Sequence, residues 1–283
     1  MSATILEGLA VAEAISEDVM GRVTALAAQG VTPCLGILRV GERPDDLSYE
    51  RGACKRAEVT GIAVRHLVFD EGVTTEELVE AVEAINADDS VHGLLILRPL
   101  PAHIDEERVC NALVAYKDVD ACGERSLGTL FTGADGAFAP CTAQACIEIL
   151  DHYGIEIAGR RALVIGRSLV IGKPLSMLLL ERNATVTIAH SRTADLEEHA
   201  READIIVACA GHAAMVGANH VAPGQTLIDV GINVADDGSL VGDIAFDEVV
   251  DVVDAVTPVP RGVGSVTTCV LCKHVVQAAE MMM

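Results

Sequence analysis

Along the chain, apolar positions alternate between runs spaced three and four apart and short runs that are apolar throughout. This is the pattern of helices and buried, largely parallel strands in an α/β protein. Residues 11–28 carry the helical period and stop at Gly30, and 33–40 read as a buried strand. After a loop at 41–46, a second helix carries Tyr49 and closes at Gly61, and a strand occupies 62–69. Thr74 and Glu77 have capping-box spacing at the head of a helix that runs to Ile85. The apolar run 93–97 ends before Pro99-Leu100-Pro101, because proline cannot donate to a ladder. A short helix over 106–115 precedes the acidic turn Lys117-Asp118-Val119-Asp120.

Residues 123–140 are glycine-rich with weak periodicity and read as a crossing between two domains. Thr142 is placed to cap a helix to residue 152, followed by a compact strand at 161–165 and a turn at 166–172. Further strands fall at 184–189, 204–208 and 226–230, a hairpin over 233–243 turns on Asp237-Gly238, and a last helix spans 267–280. The domains expected are 1–140 with 267–283, and 141–266.

Composition narrows the function. The chain has 283 residues, 51% hydrophobic and 22% charged, which suffices for two cores and argues against disorder. A net charge of -22, from 42 acidic against 20 basic residues, disfavours nucleic acid and anionic membranes as partners. A small anion can still be held by a few arginines or a helix N-terminus. The nine cysteines have no repeated spacing and read as reduced thiols. Cys269 and Cys272 form one C-x-x-C without a second pair or clustered histidines, so metal or redox use is the minority reading. With no basic segment leading an apolar run at the N-terminus and no stretch of membrane-span length, the expected location is the cytoplasm.

The strand at 161–165, the turn Gly166-Arg167-Ser168 through Gly172, and the following helix place backbone amides where a pyrophosphate can sit. The turn departs from G-x-G-x-x-G: Ser168 replaces the second glycine and the third comes one position late. Taken alone it could be an ordinary strand-to-helix turn. The next strand ends at His190-Ser191-Arg192-Thr193, where an enzyme preferring NAD places an acid for the ribose hydroxyls. No acid stands there, and Arg167, Ser191 and Arg192 suit a 2′-phosphate, which favours NADP with NAD as the alternative.

Several segments together resemble the methylenetetrahydrofolate dehydrogenase/cyclohydrolase family over nearly the whole chain. They are Ser48-Tyr49 with Gly61-Ile62, Val91-His92-Gly93 leading to Pro99-Leu100-Pro101, Lys117-Asp118-Val119-Asp120, Pro140-Cys141-Thr142, Val164 to Ser168, Asp229 to Asn233, Val241-Gly242-Asp243, and Thr257 to Pro260 with Gly262-Val263-Gly264. The resemblance implies an N-terminal folate-site domain, a Rossmann-type dinucleotide domain, a last helix that packs back on the first domain, a folate site in the cleft, and a homodimer. It also implies oxidation of 5,10-methylenetetrahydrofolate with NADP. Tyr49 matches the tyrosine that stacks on the folate, and Asp120 the aspartate that hydrogen-bonds the pterin. Lys55 matches a second family lysine, and Gly166, Arg167, Ser168, Ser191 and Ile232 match cofactor-contacting positions.

Two central positions depart from the family pattern. The lysine four residues after the tyrosine is Ala53 here, and the glutamine two residues before the first proline of Pro-Leu-Pro is Leu97. Arg261, Ser265 and Val266 also replace the usual Gly, Pro and Met. The lysine and glutamine are associated with the hydrolytic half-reaction, which needs protons moved, whereas hydride loss needs chiefly positioning. The sequence therefore predicts a dehydrogenase with a weakened cyclohydrolase. The alternatives are a fully bifunctional enzyme with Arg56 or Arg98 compensating, a non-catalytic folate or nucleotide binder, and another Rossmann dehydrogenase with a shikimate-like substrate.

Overall fold

The computed structural model describes residues 2–235 and 237–283. The first half of the chain forms β1 (Thr4–Ile5), α1 (Gly8–Ala27), β2 (Cys34–Val40), α2 (Pro44–Thr60), β3 (Ala63–Phe69), α3 (Thr75–Asn86), β4 (Gly93–Ile96), α4 (Glu106–Ala112) and α5 (Glu124–Thr132). The second half forms α6 (Cys141–His152), β5 (Arg161–Ile165), α7 (Gly172–Glu181), β6 (Thr185–Ala189), α8 (Leu196–Glu202), β7 (Ile205–Ala208), β8 (Thr226–Asp229), β9 (Asn233–Val234), β10 (Leu240–Val241), α9 (Phe246–Val249), β11 (Ala255–Val256) and α10 (Thr267–Met281). The chain divides into two compact units: Glu13–Cys141 with Thr268–Met283, and Met1–Ala12 with Thr142–Thr267.

The first unit is built on a parallel sheet in the order β3-β2-β4. Every residue of the central β2 is buried, which is why it reads as one continuous apolar run rather than an alternation. Thr74 and Glu77 close the expected capping box at the head of α3. At the other end of that helix, the fully buried Lys117 donates from Nζ to the carbonyls of Ile85 (2.8 Å), Asn86 (3.2 Å) and Asp88 (2.8 Å). A cation there satisfies carbonyls that the helix leaves unpaired. The last helix belongs to this unit: His274 Nδ1 lies 2.9 Å from the Val119 carbonyl.

The second unit carries a six-stranded sheet in the order β1-β11-β8-β7-β5-β6, all parallel, and the antiparallel pair β9-β10. Its core is the apolar faces of β5, β7 and β8 packed on Val216, Ile244, Val249 and Val253. The strand neighbours of β5 lie on opposite sides, β6 on one and β7 on the other. That reversal opens a crevice at the carboxyl ends of the strands.

Four local expectations change. Residues 2–12, read from sequence as part of the first domain, lie in the second unit, because Thr4–Ile5 pairs with Ala255–Val256 and the Gly8 N–H donates to the Arg261 carbonyl at 2.8 Å. The loop read at 41–46 already contains the first turn of α2, with Pro44 at its start and Asp45 and Asp46 favourably placed against the helix dipole. The segment 123–140 contains α5, whose apolar period Gly128 and small residues conceal and whose end is marked by left-handed Gly133. Thr142 lies inside α6, which begins at Cys141, so it is not the cap; the Cys141 N–H donates instead to Asp120 Oδ1 at 2.8 Å.

Candidate functional site

In the first unit, α2 is anchored by a charged network around the turn that bears Tyr49. Arg39 Nε donates to Glu50 Oε2 at 2.7 Å, and Glu50 Oε1 lies 2.7 Å from His66 Nδ1. Arg39 and Glu50 are both buried, so removing either partner would strand a charge away from water. The Tyr49 hydroxyl is held well above its usual titration range, first by burial and then by the nearby Asp120 carboxylate and the Cys141 and Cys272 thiols. The phenol therefore stays protonated and neutral, a flat apolar face with one donor.

Asp120 is delivered by a bracket of its own motif. Lys117 closes α3, Val119 is fully buried in the core, and Asp118 accepts from the Cys122 N–H at 2.9 Å, the Gly123 N–H at 3.0 Å and the Ser126 hydroxyl at 2.6 Å. Burial raises the Asp120 titration, opposed by the Cys141 N–H and by the positive charge of Arg98. Tyr49 and Asp120 are thus brought together. Lys55 is exposed on α2, six residues beyond Tyr49 and so about 240° round the helix; it is not brought to them. Ala53 is fully buried, and Leu97 is buried with its N–H donating to the Leu38 carbonyl at 2.9 Å. Of the two arginines considered as substitutes, Arg56 donates to Ser16 Oγ at 3.0 Å, while Arg98 acts on Asp120.

In the second unit, a cavity of about 400 Å³ opens at the end of β5. Gly166, Arg167, Ser168 and Ser191 line it, with His190, Thr193, Cys209, Ala210, His212 and Met215. Gly166 has φ +140°, and a Cβ there would lie 2.5 Å from the Cys209 carbonyl oxygen. A Cβ on Gly172 would overlap the Gly166 carbonyl, so both glycines are required for α7 to pack close under the turn. Ser168, in place of the middle glycine, accepts from the Ile171 N–H at 3.1 Å and stiffens the loop. The β6 tip is folded on itself, the His190 N–H donating to Thr193 Oγ1 at 2.9 Å, and Ser191 and Arg192 are exposed. Ile232 lies outside the cavity lining and is 64% exposed.

Sequence reasoning gave no role to Asp229 and Asp243, and both hold this region together. Asp243 Oδ2 accepts from the N–H groups of Ala210 (2.7 Å) and Gly211 (2.8 Å), and Oδ1 from Asn233 Nδ2 (3.0 Å). Asp229 accepts from the N–H groups of Gly231 (3.0 Å), Asp243 (2.9 Å) and Ile244 (2.9 Å), and burial pushes its carboxyl up to about 6. A side chain at Gly231 would overlap Asp243, and one at Gly242 would overlap Asp229. A glycine within two residues of each aspartate was the signal available in the sequence. Asp243→Asn turns an amide donor toward N–H donors on one side or the other, and it is expected to cost about 1–3 kcal/mol, read as a lower denaturant midpoint at unchanged slope.

The catalytic-domain model of the tetrahydrofolate dehydrogenase/cyclohydrolases matches residues 6–120, and their NAD(P)-binding-domain model matches residues 140–283. The chain belongs to the tetrahydrofolate dehydrogenase/cyclohydrolase family. It is 48% identical over 279 residues to the bifunctional protein FolD of Carboxydothermus hydrogenoformans, covering 98% of this chain and 97% of that protein. The bifunctional FolD methylenetetrahydrofolate dehydrogenase/cyclohydrolase of Campylobacter jejuni has a TM-score of 0.97 at 34% identity, with 100% of both chains covered. The Trypanosoma brucei dehydrogenase-cyclohydrolase, solved with NADP and an inhibitor, has a TM-score of 0.93 at 34% identity, covering 99% of this chain and 98% of that one. Membership of this family sets aside the reading as a shikimate-type enzyme. No helix among the described residues is long and apolar enough to cross a membrane.

Proposed function

We propose that the protein oxidises 5,10-methylenetetrahydrofolate to the 5,10-methenyl form with NADP, and that its cyclohydrolase step to 10-formyltetrahydrofolate is weakened. The observation that carries this reading is the pairing of Tyr49 with Asp120 in a member of this family whose Ala53 and Leu97 are both buried and apolar. Tyr49 offers a face for the pterin and Asp120 a carboxylate for its polar edge. The turn at Gly166, Arg167 and Ser168, with Ser191, fits a dinucleotide: glycines give close backbone approach, and no acid stands at the β6 tip to repel a 2′-phosphate. NADP, when bound, supplies the hydride acceptor. The chain's own work is to orient the folate and to exclude water from the forming methenyl cation. Ile232 and Lys55 are retained as cofactor-side and folate-side contacts of lesser weight, since both are exposed.

The test is to incubate the protein with methylenetetrahydrofolate and each dinucleotide and to follow reduced cofactor, methenyl and formyl products separately. Absence of any cofactor reduction would favour the non-catalytic binder. Arg167→Ala is expected to weaken NADP binding by about threefold to tenfold and to leave NAD binding nearly unchanged, because only NADP carries the extra phosphate. Titration of each cofactor against both proteins checks this, and equal losses would remove the 2′-phosphate assignment. Assembly as a homodimer is part of the same proposal, checked by sedimentation, and nine cysteines outside any disulfide suit a cytoplasmic location.

A further inference from the structure

Two cysteines that the folate chemistry does not use lie side by side in the first unit. Cys110 belongs to α4 and is 3% exposed; Cys122 follows Asp120 by two residues and is partly exposed. Cys122 packs against the apolar cluster to which Cys110 belongs, and each thiol perturbs the titration of the other. The backbones run close together as well: the Cys110 carbonyl oxygen is 3.0 Å from where a Cβ on Gly123 would stand, and the Glu124 N–H donates to Asn111 Oδ1 at 2.8 Å.

We propose that Cys110 and Cys122 are a redox site, oxidised to an intramolecular disulfide by hydrogen peroxide, and that the disulfide displaces Asp120 and suppresses folate turnover. The second half of this rests on the reading of Asp120 given above. Other groups around the pair act on both thiols. The neighbouring Cys122 side chain holds the Cys110 thiol below its usual range against the effect of burial, helped by Arg98 and opposed by Glu106 and Asp118. The neighbouring Cys110 side chain, with burial and the Asp118 carboxylate, pushes the Cys122 thiol far up. Either sulfur can attack with the other resolving, and the balance is the same in both orders; with Cys110 attacking, Cys122 resolves.

The Cys110 thiolate attacks one peroxide oxygen, forming S–O and breaking O–O; the hydroxide that leaves takes the Cys122 proton and becomes water. The Cys122 thiolate then attacks the Cys110 sulfur, forming S–S and breaking S–O. The second hydroxide takes the proton that Cys110 released on ionising. Two thiols are oxidised and one peroxide is reduced to two waters. Peroxide is close to water in size, which suits a sulfur as covered as that of Cys110.

A disulfide bond is about 2.05 Å long, shorter than any non-bonded contact of two sulfurs, so closing it pulls the two together. Asp118 pins the backbone from Cys122 to Ser126 through three hydrogen bonds. Between Cys122 and Asp120 stands only Ala121, in a left-handed conformation at φ 49°. Strain at Cys122 passes through that residue to the Asp120 carboxylate.

The whole protein is treated with hydrogen peroxide, quenched, digested without reductant and mapped by mass. A peptide linked through Cys110 and Cys122 is expected, with folate-dependent kcat/KM lowered about 10²-fold by a displacement on the ångström scale, NADP affinity unchanged, and recovery on adding dithiothreitol. Cys122→Ser should keep basal turnover and lose the reversible inactivation; Cys110→Ala is the second variant should the first fail to fold. Absence of the linked peptide, or inactivation that persists in these variants, overturns the redox site. A linked peptide with unchanged folate turnover overturns the coupling to Asp120. Because the linkage is read by mass alone, it tests the thiol pair independently of the folate reading.

Discussion

Supplied with 5,10-methylenetetrahydrofolate and NADP, the protein is expected to release the methenyl compound and let it accumulate, with enzymatic hydrolysis slower than oxidation by about 10²- to 10⁴-fold, the usual worth of a positioned acid-base group. Neither Ala53 nor Leu97 can donate, accept or shuttle a proton. Their burial, at 0% and 6% exposure, also limits repair. A lysine introduced at Ala53 would carry four methylenes and an ammonium into space that is already filled, so Ala53→Lys is expected to lower the melting temperature rather than restore hydrolysis. Arg98 is the stronger candidate for a substitute because it acts on Asp120, yet an arginine does not release its proton in proteins. The comparison is made on the unmodified protein, with spontaneous hydrolysis of the methenyl form subtracted. Equal rates for the two half-reactions would defeat the proposal and turn attention to Arg98→Ala.

Asp120→Asn is expected to lower folate-dependent kcat/KM by about 10- to 10²-fold, the range for losing a charge-assisted hydrogen bond, while NADP affinity is unchanged. The substitution separates two roles. Asparagine still offers an oxygen to the Cys141 N–H, so the backbone contact survives and thermal stability should change little. A residue that merely tied down Cys141 would show normal kinetics in the folded fraction. Because burial raises the Asp120 titration, the acid limb of kcat/KM should stand above the ordinary aspartate range and should move or vanish in Asp120→Asn. An acid limb that is identical in both proteins would assign the ionisation elsewhere.

What the sequence determined by itself were the features whose cause is local. The Thr74–Glu77 capping box, the Arg161–Ile165 strand with its glycine turn, the parallel α/β class and the resemblance carried by Tyr49 and Asp120 all depend on residues a few positions apart or on an ordered set of short motifs. The tertiary structure decided everything that depends on a distant partner. The short strand Thr4–Ile5 exists because Ala255–Val256 offers it an edge, and two residues leave no period to read. Lys117 looks like a surface charge until the end of α3 arrives to take its three hydrogen bonds. Asp229 and Asp243 look like turn residues until the loops they hold converge on them. Helical spacing alone could not say that Ala53 is sealed while Lys55, two residues on, is exposed, because that depends on what packs against α2 from elsewhere in the chain. Local hydrogen-bond geometry is written in neighbouring residues; burial and charge pairing arise from contacts between segments far apart in sequence, and those fix the chemistry of the site.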